Sequence, residues 1–327
     1  MTTMIDLEEI QTFAVQLSKK AGQAILEGSA RRFEGLSGFD EKKNTADLVT
    51  ETDQATEKLV KDEIARAYPH HKFIGEESWA AGEENQLTDE PTWIIDPIDG
   101  TTNFVHGFPF TCISIGFVYR KEPVIGVIYA PFLEHLYHGL KGSGSYISTP
   151  QHPAPRRLPL AEPLPLPSLR QALVAFEWGS DRKSDILAKK LRSFQRITGD
   201  SDGGVEGGQM VQGVRSMGSA ALNFANVAAG SLDLYWEIGC WAWDVCAGIV
   251  IAKEAGCAVV GSRDAALASL SSSAAEGQRF NDIPPELLTG RKYVVVRAIA
   301  DTESETGVDA QKRTIKTFYD AVDEWDP

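Results

Sequence analysis

The sequence predicts a mixed α and β fold in one domain of 327 residues. Short apolar runs, such as Trp93-Ile94-Ile95 and the stretch 293–298, read as buried strands. Other segments carry apolar residues at helical spacing, among them 6–28 and the last stretch with Ile315, Phe318, Tyr319, Val322 and Trp325 on one face. The two patterns alternate along the whole chain, and no internal repeat interrupts them.

Taken in order, residues 6–28 form an amphipathic helix with Leu7, Ile10, Phe13, Ala14, Leu17, Ala21, Ala24 and Ile25 inward, and Asp6 with Glu9 resembles a capping box. Lys42 to Thr50 reads as a hairpin or short strands, and a second helix covers 53–67. Trp93-Ile94-Ile95 ends at Asp96-Pro97, where the proline is expected to stop regular structure. Gly100 to Asn103 turns into a helix. Residues 111–119 and 123–130 are strands, with Pro123 in the connection. The proline-rich stretch 149–168 is expected to be an exposed loop or polyproline segment, with a docking motif as the sharper alternative. Further strands are expected at 172–177, 233–237 and 293–298, and helices at 182–194, 218–230 and 244–255, the last closed by Gly256. Residues 199–213 and the Ser/Ala-rich 262–278 read as loops.

The formal charge of −14 disfavours nucleic acid or an anionic membrane as partner, since both are polyanions. It does not exclude a phosphate substrate if some carboxylates hold divalent cations, because the local charge then inverts. No apolar run approaches the ~20 residues of a membrane span. The first ten residues lack a basic region, so a secretory signal is not expected. Cys112, Cys240, Cys246 and Cys257 form no CxxC pair and read as reduced, buried side chains of a cytoplasmic protein. His135 and His138 lie three apart on an element the pattern does not define, and they and His106 read as surface or structural residues.

The chemistry concentrates in Trp93-Ile-Ile-Asp96-Pro97-Ile98-Asp99-Gly100-Thr101-Thr102-Asn103. An apolar strand delivers Asp96 at its carboxyl end, where open α/β sheets place ligands. A turn then brings Asp99 back toward it, exposes the Ile98 carbonyl and leads to the free N–H groups of a helix start at Thr101. A lone DxxD is more often a solvated turn. Here two further acidic groups stand in apolar settings: Glu76-Glu77 after Phe73-Ile74-Gly75, and Asp244 between Trp243 and Val245. On spacing alone Asp244 is either a helix N-cap or a metal ligand.

Three segments, Gly75-Glu76-Glu77, Trp93 to Phe104 and Trp243-Asp244-Val245-Cys246-Ala247-Gly248, resemble the signatures of the inositol monophosphatase family and occur in its order. The resemblance runs from about residue 6 to 260 and includes Asp47 to Asp53 and Arg215 to Ala220. It implies a layered α-β-α-β-α sandwich with two subregions and Mg²⁺-dependent hydrolysis of a small phosphate monoester, inositol monophosphate first. Glu76, Asp96 and the Ile98 carbonyl would bind one Mg²⁺, Asp96, Asp99 and Asp244 a second, and Asp53 with Glu76 a third, weaker one. The donors are all oxygens, which suits Mg²⁺, Mn²⁺ or Ca²⁺ over Zn²⁺. Five carboxylates against three divalent ions leave a site that accepts a phosphate dianion only when loaded.

The resemblance further implies that Thr101 and Glu76 position the attacking water, that the Gly100 and Thr101 N–H groups hold phosphate, and that Asp99, Ser180, Ala220 and Glu237 face the substrate's hydroxyls. Glu237 is the expected polyol reader, and Lys42 lies near the metals on a loop. A homodimer and inhibition by Li⁺ are expected as well. Two alternatives stay open: a related phosphatase for another sugar, polyol or nucleotide phosphate, and a non-catalytic sensor or scaffold working through the proline-rich loop, whose partner the sequence does not name.

Overall fold

The computed structural model describes residues 5–35, 38–44, 47–83, 86–271 and 280–327. Helix α1 (Leu7–Phe33) starts where the Asp6 carboxylate accepts the free N–H groups of Glu8 and Glu9. The hairpin of β1 (Phe39–Asn44) and β2 (Asp47–Thr50) leads into α2 (Glu51–Ala67). Thr50 and Asp53 form a reciprocal capping box there, so the helix begins earlier than its apolar periodicity indicates. There follow β3 (Lys72–Gly75), α3 (Glu76–Ala80), β4 (Thr92–Asp99), α4 (Thr101–His106), β5 (Cys112–Tyr119), β6 (Glu122–Ala130), β7 (His135–Leu140), β8 (Gly144–Ser148) and β9 (Arg156–Arg157). The remaining elements are β10 (Leu173–Phe176), α5 (Ser184–Thr198), β11 (Gly213–Arg215), α6 (Ala220–Ala229), β12 (Leu234–Ile238), α7 (Ala242–Glu254), β13 (Ala258–Val260), α8 (Arg263–Ser271), α9 (Pro285–Thr289), β14 (Lys292–Val296) and α10 (Gly307–Ala321).

The sequence reads as one domain with two subregions; the chain divides into two compact units. The first comprises Met1–Leu158, Gly218–Ala225 and Ala242–Glu254. Its seven strands lie in the order β3-β4-β5-β6-β7-β8-β9, with β3 and β4 parallel and every other pair antiparallel. Helices α1 and α2 cover one face through Ile10, Leu17, Ile25, Val60 and Ile64, packed on Trp93, Ile95, Ile115 and Phe117. Each such side chain contributes roughly 1.5–3 kcal/mol when fully buried.

The other face takes α7 in an unusually close seat. Gly116, Gly126 and Gly139 lie side by side across β5, β6 and β7. A Cβ on Gly116 would stand 2.4 Å from Cys246 Sγ, and one on Gly126 only 2.2 Å from the Ala247 carbonyl oxygen. Hydrogen at these three positions is what lets the helix backbone rest on the sheet. The Ser114 hydroxyl then donates to the Trp243 carbonyl at 3.1 Å and fixes the start of the helix.

The second unit comprises Pro159–Met217, Asn226–Trp241 and Ala255–Pro327. Its five strands run β11-β10-β12-β14-β13. Alternate residues Val174, Phe176, Leu234, Trp236, Ile238, Val294 and Val296 share one face and pack on Ile186 and Ile197 of α5 and on Ile315 and Phe318 of α10. Trp236 is the hub, with ring contacts to Phe176, Phe318 and Trp325.

Four expectations are corrected. Pro97 does not end its strand: pairing passes from Asp96↔Ser114 to Asp99↔Cys112, so β4 carries one extra residue in a bulge, where a proline removes no ladder bond. Pro123 likewise lies inside β6, at a second irregularity. The proline-rich stretch is not a free exposed loop. Arg156 and Arg157 add an edge strand, Leu158 and Leu166 are buried, and Arg297 and Arg313 donate to the carbonyls of Leu164, Leu166 and Pro167. Of the stretch 262–278, residues 263–271 form α8, and 272–278 lie outside the described residues. The short elements α3, β7, β8 and α9 carry too little periodicity to stand out in the sequence.

Candidate metal centre

Strand β4 is buried along its whole length, so its apolar start anchors its acidic end. Asp96 and Asp99 flank the bulge, and both are buried. Asp244 stands inside the first turn of α7 rather than at its cap, which sets the N-cap reading aside. One carboxylate oxygen from each of Asp96, Asp99 and Asp244 lies within 4.8 Å of the others.

Such a trio cannot be fully ionised out of water without counter-charge. Burial first, and then the charges of Glu76, Asp99 and Asp244, push the Asp96 carboxyl well above the usual carboxylate range. Asp96 Oδ1 accepts the Ile98 N–H at 3.0 Å, which holds the bulge. Burial raises Asp99 to about 6, against the lowering effect of Ser219 and of the Ala221 and Ala220 N–H groups. Those donors lie at 2.5, 2.7 and 3.3 Å, so the start of α6 cradles this carboxylate. The buried Cys112 thiol, 3.8 Å from Asp99 Oδ2, is pushed up by burial and by the same carboxylates, which keeps it a neutral thiol.

Asp53 is buried as well, and burial raises it to about 6 despite its bonds to Thr50. Its Oδ1 lies 3.1 Å from the Thr101 hydroxyl, which is also 3.1 Å from the Ile98 carbonyl. Thr101 opens α4 directly after Gly100, whose φ of 89° is left-handed. A Cβ there would stand 3.0 Å from the Gly218 carbonyl oxygen and 3.1 Å from that of Phe110, so glycine is required on two counts.

Glu76 lies outside the tight trio, although its charge acts on Asp53, Asp96 and Asp99. It shares Lys42 with Glu77, at 2.8 and 2.7 Å. Burial lowers the Lys42 pKa, but the two carboxylates outweigh it and raise it. Glu77 is nonetheless pushed up to about 7, by burial first and by Glu76 next. The two directions are compatible, because one ammonium cannot neutralise two carboxylates. Lys42 thus pairs with Glu76 and Glu77 from strand β1, not from a loop as the sequence reading has it.

Among the expected substrate contacts, Gly100, Thr101, Asp99 and Ala220 come together in the first unit. Ser180 and Glu237 belong to the second unit; Glu237 lies half-buried on β12 and accepts the Tyr235 hydroxyl. His135 and His138 lie on β7, and burial lowers both; His138 stacks on Tyr146 and meets Gln11 at 3.4 Å. All four cysteines are buried as reduced thiols. The sequence does not reveal Ser114 or Glu57 as supports of this site. Each resembles an ordinary strand or helix residue, and only burial distinguishes it.

Three converging carboxylates, two buried and Asp244 half-buried, flanked by more acid and by hydroxyl and carbonyl oxygens, fit a centre for hard divalent cations. The fold that carries them defines the class. The model of the inositol monophosphatase family matches residues 6–294, and the chain belongs to that family. It is a phosphatase. It is 41% identical to Protein qutG of Emericella nidulans, over 98% of this chain and 95% of that one. It is 37% identical to Inositol monophosphatase 1 of Saccharomyces cerevisiae, over 98% and 97%. The inositol monophosphatase structure from Anabaena shares the fold with a TM-score of 0.68 and 26% identity, over 98% of both chains. No helix among the described residues is long and apolar enough to cross a membrane.

Proposed function

We propose that the protein hydrolyses myo-inositol monophosphate to inositol and phosphate with Mg²⁺ held at the acidic centre. The observation that carries this reading is the convergence of buried Asp96 and Asp99 with half-buried Asp244 within 4.8 Å. Asp96, Asp99 and Asp244 would hold one ion, Glu76, Asp96 and the Ile98 carbonyl another, and Asp53 with Glu76 a weaker third. Bound Mg²⁺ supplies Lewis acidity, which activates water and offsets the charge of the phosphate.

The chain's own groups do the rest. The Thr101 hydroxyl, set between Asp53 and the Ile98 carbonyl, donates a hydrogen bond to one of them and presents a lone pair to the attacking water. Glu76, which shares Lys42 with Glu77, would be the proton acceptor on that side. The Gly100 and Thr101 N–H groups hold phosphate oxygens, and Ala220, Ser180 and Glu237 read the polyol. The Tyr235 bond occupies one Glu237 oxygen and so orients the other.

A second reading keeps the chemistry and changes the substrate to another sugar, polyol or nucleotide phosphate. The 41% identity to Protein qutG, a name that states no inositol substrate, stands beside the 37% to a yeast inositol monophosphatase and favours testing it. Phosphate release from a panel of esters with Mg²⁺ separates the two. Inositol 1-phosphate should give the highest kcat/KM; a higher value for a nucleotide bisphosphate or a different cyclic polyol phosphate would replace the first reading. No phosphate release from any ester would leave a sensor or scaffold. We further propose a cytoplasmic homodimer inhibited by Li⁺, in keeping with the family.

A further inference from the structure

We infer that Glu57 is a positioning residue of the metal centre: reaching from α2, it caps α3 and thereby sets where Glu76 points. The inference rests on the reading of Glu76 as a metal ligand. Helix α3 has five residues, and its N-cap, Gly75, has no side chain to receive the free N–H groups. A single turn of this length does not hold itself. Glu57 supplies the cap from another element. Its Oε2 accepts the Glu77 N–H at 2.7 Å, and its Oε1 accepts the Ser78 N–H at 2.7 Å and the Ser78 hydroxyl at 2.6 Å. These are short, charge-assisted bonds at a helix start, where a carboxylate is also favoured by the dipole.

The environment is shaped for this contact. Glu57 is 4% exposed, which is rare for a glutamate unless it is fully engaged. A Cβ on Gly75 would fall 2.5 Å from Glu57 Oε2, so the glycine of the Gly-Glu-Glu segment is the space through which the carboxylate approaches. Glu57 also follows Asp53 by one helical turn. One face of α2 thus presents two buried carboxylates, Asp53 toward Thr101 and Glu57 toward the turn that bears Glu76. With both oxygens engaged by three donors, Glu57 acts through α3 rather than on an ion.

The test compares wild type, Glu57→Ala, Glu57→Gln and Glu76→Gln as full-length, metal-stripped proteins. Mn²⁺ binding is measured by titration calorimetry, and amide exchange is followed across 75–80. Glu57→Ala should weaken Mn²⁺ by about tenfold or more, the range for lost outer-shell partners. It should also speed exchange at Glu77 and Ser78 while leaving KM unchanged at saturating metal. Glu57→Gln, which keeps one acceptor oxygen, should fall between Ala and wild type. Wild-type Mn²⁺ affinity in both Glu57 variants beside a weakened Glu76→Gln would overturn the inference. Wild-type affinity in Glu76→Gln would instead overturn the metal reading on which it rests. If Glu57→Ala does not fold, the Gln variant carries the same comparison.

Discussion

Replacing Asp96 by Asn should make the metal-free protein more stable at neutral pH while abolishing its response to Mg²⁺. Asp53 and Asp99 have folded pKa values of about 6 against an ordinary 3.8. A shift of roughly two units is worth about 3 kcal/mol for each group. The sign follows from the direction. A carboxyl raised on folding contributes its full stability below its unfolded pKa and loses it as pH rises through the folded one. Metal-free wild type should therefore lose stability between about pH 4 and 7, the window set by those values. With the unfolding entropy of a chain this size, about 3 kcal/mol corresponds to roughly 4 °C in Tm. Asp96 is the most buried member of the trio and faces both Asp99 and Asp244. Its amide removes a repulsive charge, so the Tm difference between pH 5 and pH 7.5 should shrink. Thermal melts of EDTA-treated wild type and Asp96→Asn at both pH values, with and without millimolar Mg²⁺, read all of this. Mg²⁺ should raise the wild-type Tm more at pH 7.5 than at pH 5 and leave the variant unmoved. Equal Mg²⁺ stabilisation of the variant, or a metal-free wild type equally stable at both pH values, would refute the reasoning.

Two other perturbations probe the supports. Ser219→Ala removes the 2.5 Å hydroxyl bond to buried Asp99 and should cost about 1.5–3 kcal/mol, read by urea unfolding. Because the hydroxyl lowers the Asp99 pKa, its loss should also weaken Mg²⁺ binding more at pH 6 than at pH 8 in calorimetric titrations. Gly126→Ala drives a methyl into the Ala247 carbonyl oxygen and should destabilise by more than about 3 kcal/mol, or prevent accumulation of folded protein.

Much of this site is legible in the sequence because its residues sit at abrupt changes of pattern. Asp96 ends an apolar run, Gly100 marks a left-handed turn, and Asp244 breaks a stretch of tryptophans and alanines. Such breaks are local and survive without coordinates. The bulge at Pro97 is not legible, since a proline in an apolar run is normally evidence against a strand; the tolerance comes from the missing partner on β5. The capping role of Glu57 is hidden for a different reason. A glutamate in a helix reads as solvated until a distant segment closes over it. The anchoring of the proline-rich stretch is not legible either, because its composition excludes helix and central strand without saying what its carbonyls meet. Arg297 and Arg313, far along the chain, answer that.

The glycine row beneath α7 has a consequence for ion choice. At Gly126 the helix backbone itself meets the sheet, with no side chain between them to absorb a displacement, and the Ser114 bond pins the first turn beside Asp244. The separation of Asp244 and Asp96 thus rests on the close seat of Ala247 against Gly126. A small cation that demands near-ideal octahedral geometry is served by a mount that does not yield. A larger ion such as Ca²⁺ held by the same carboxylates would have to shift α7 against that contact, so Ca²⁺ should bind more weakly than Mg²⁺ through a surface remote from the ion.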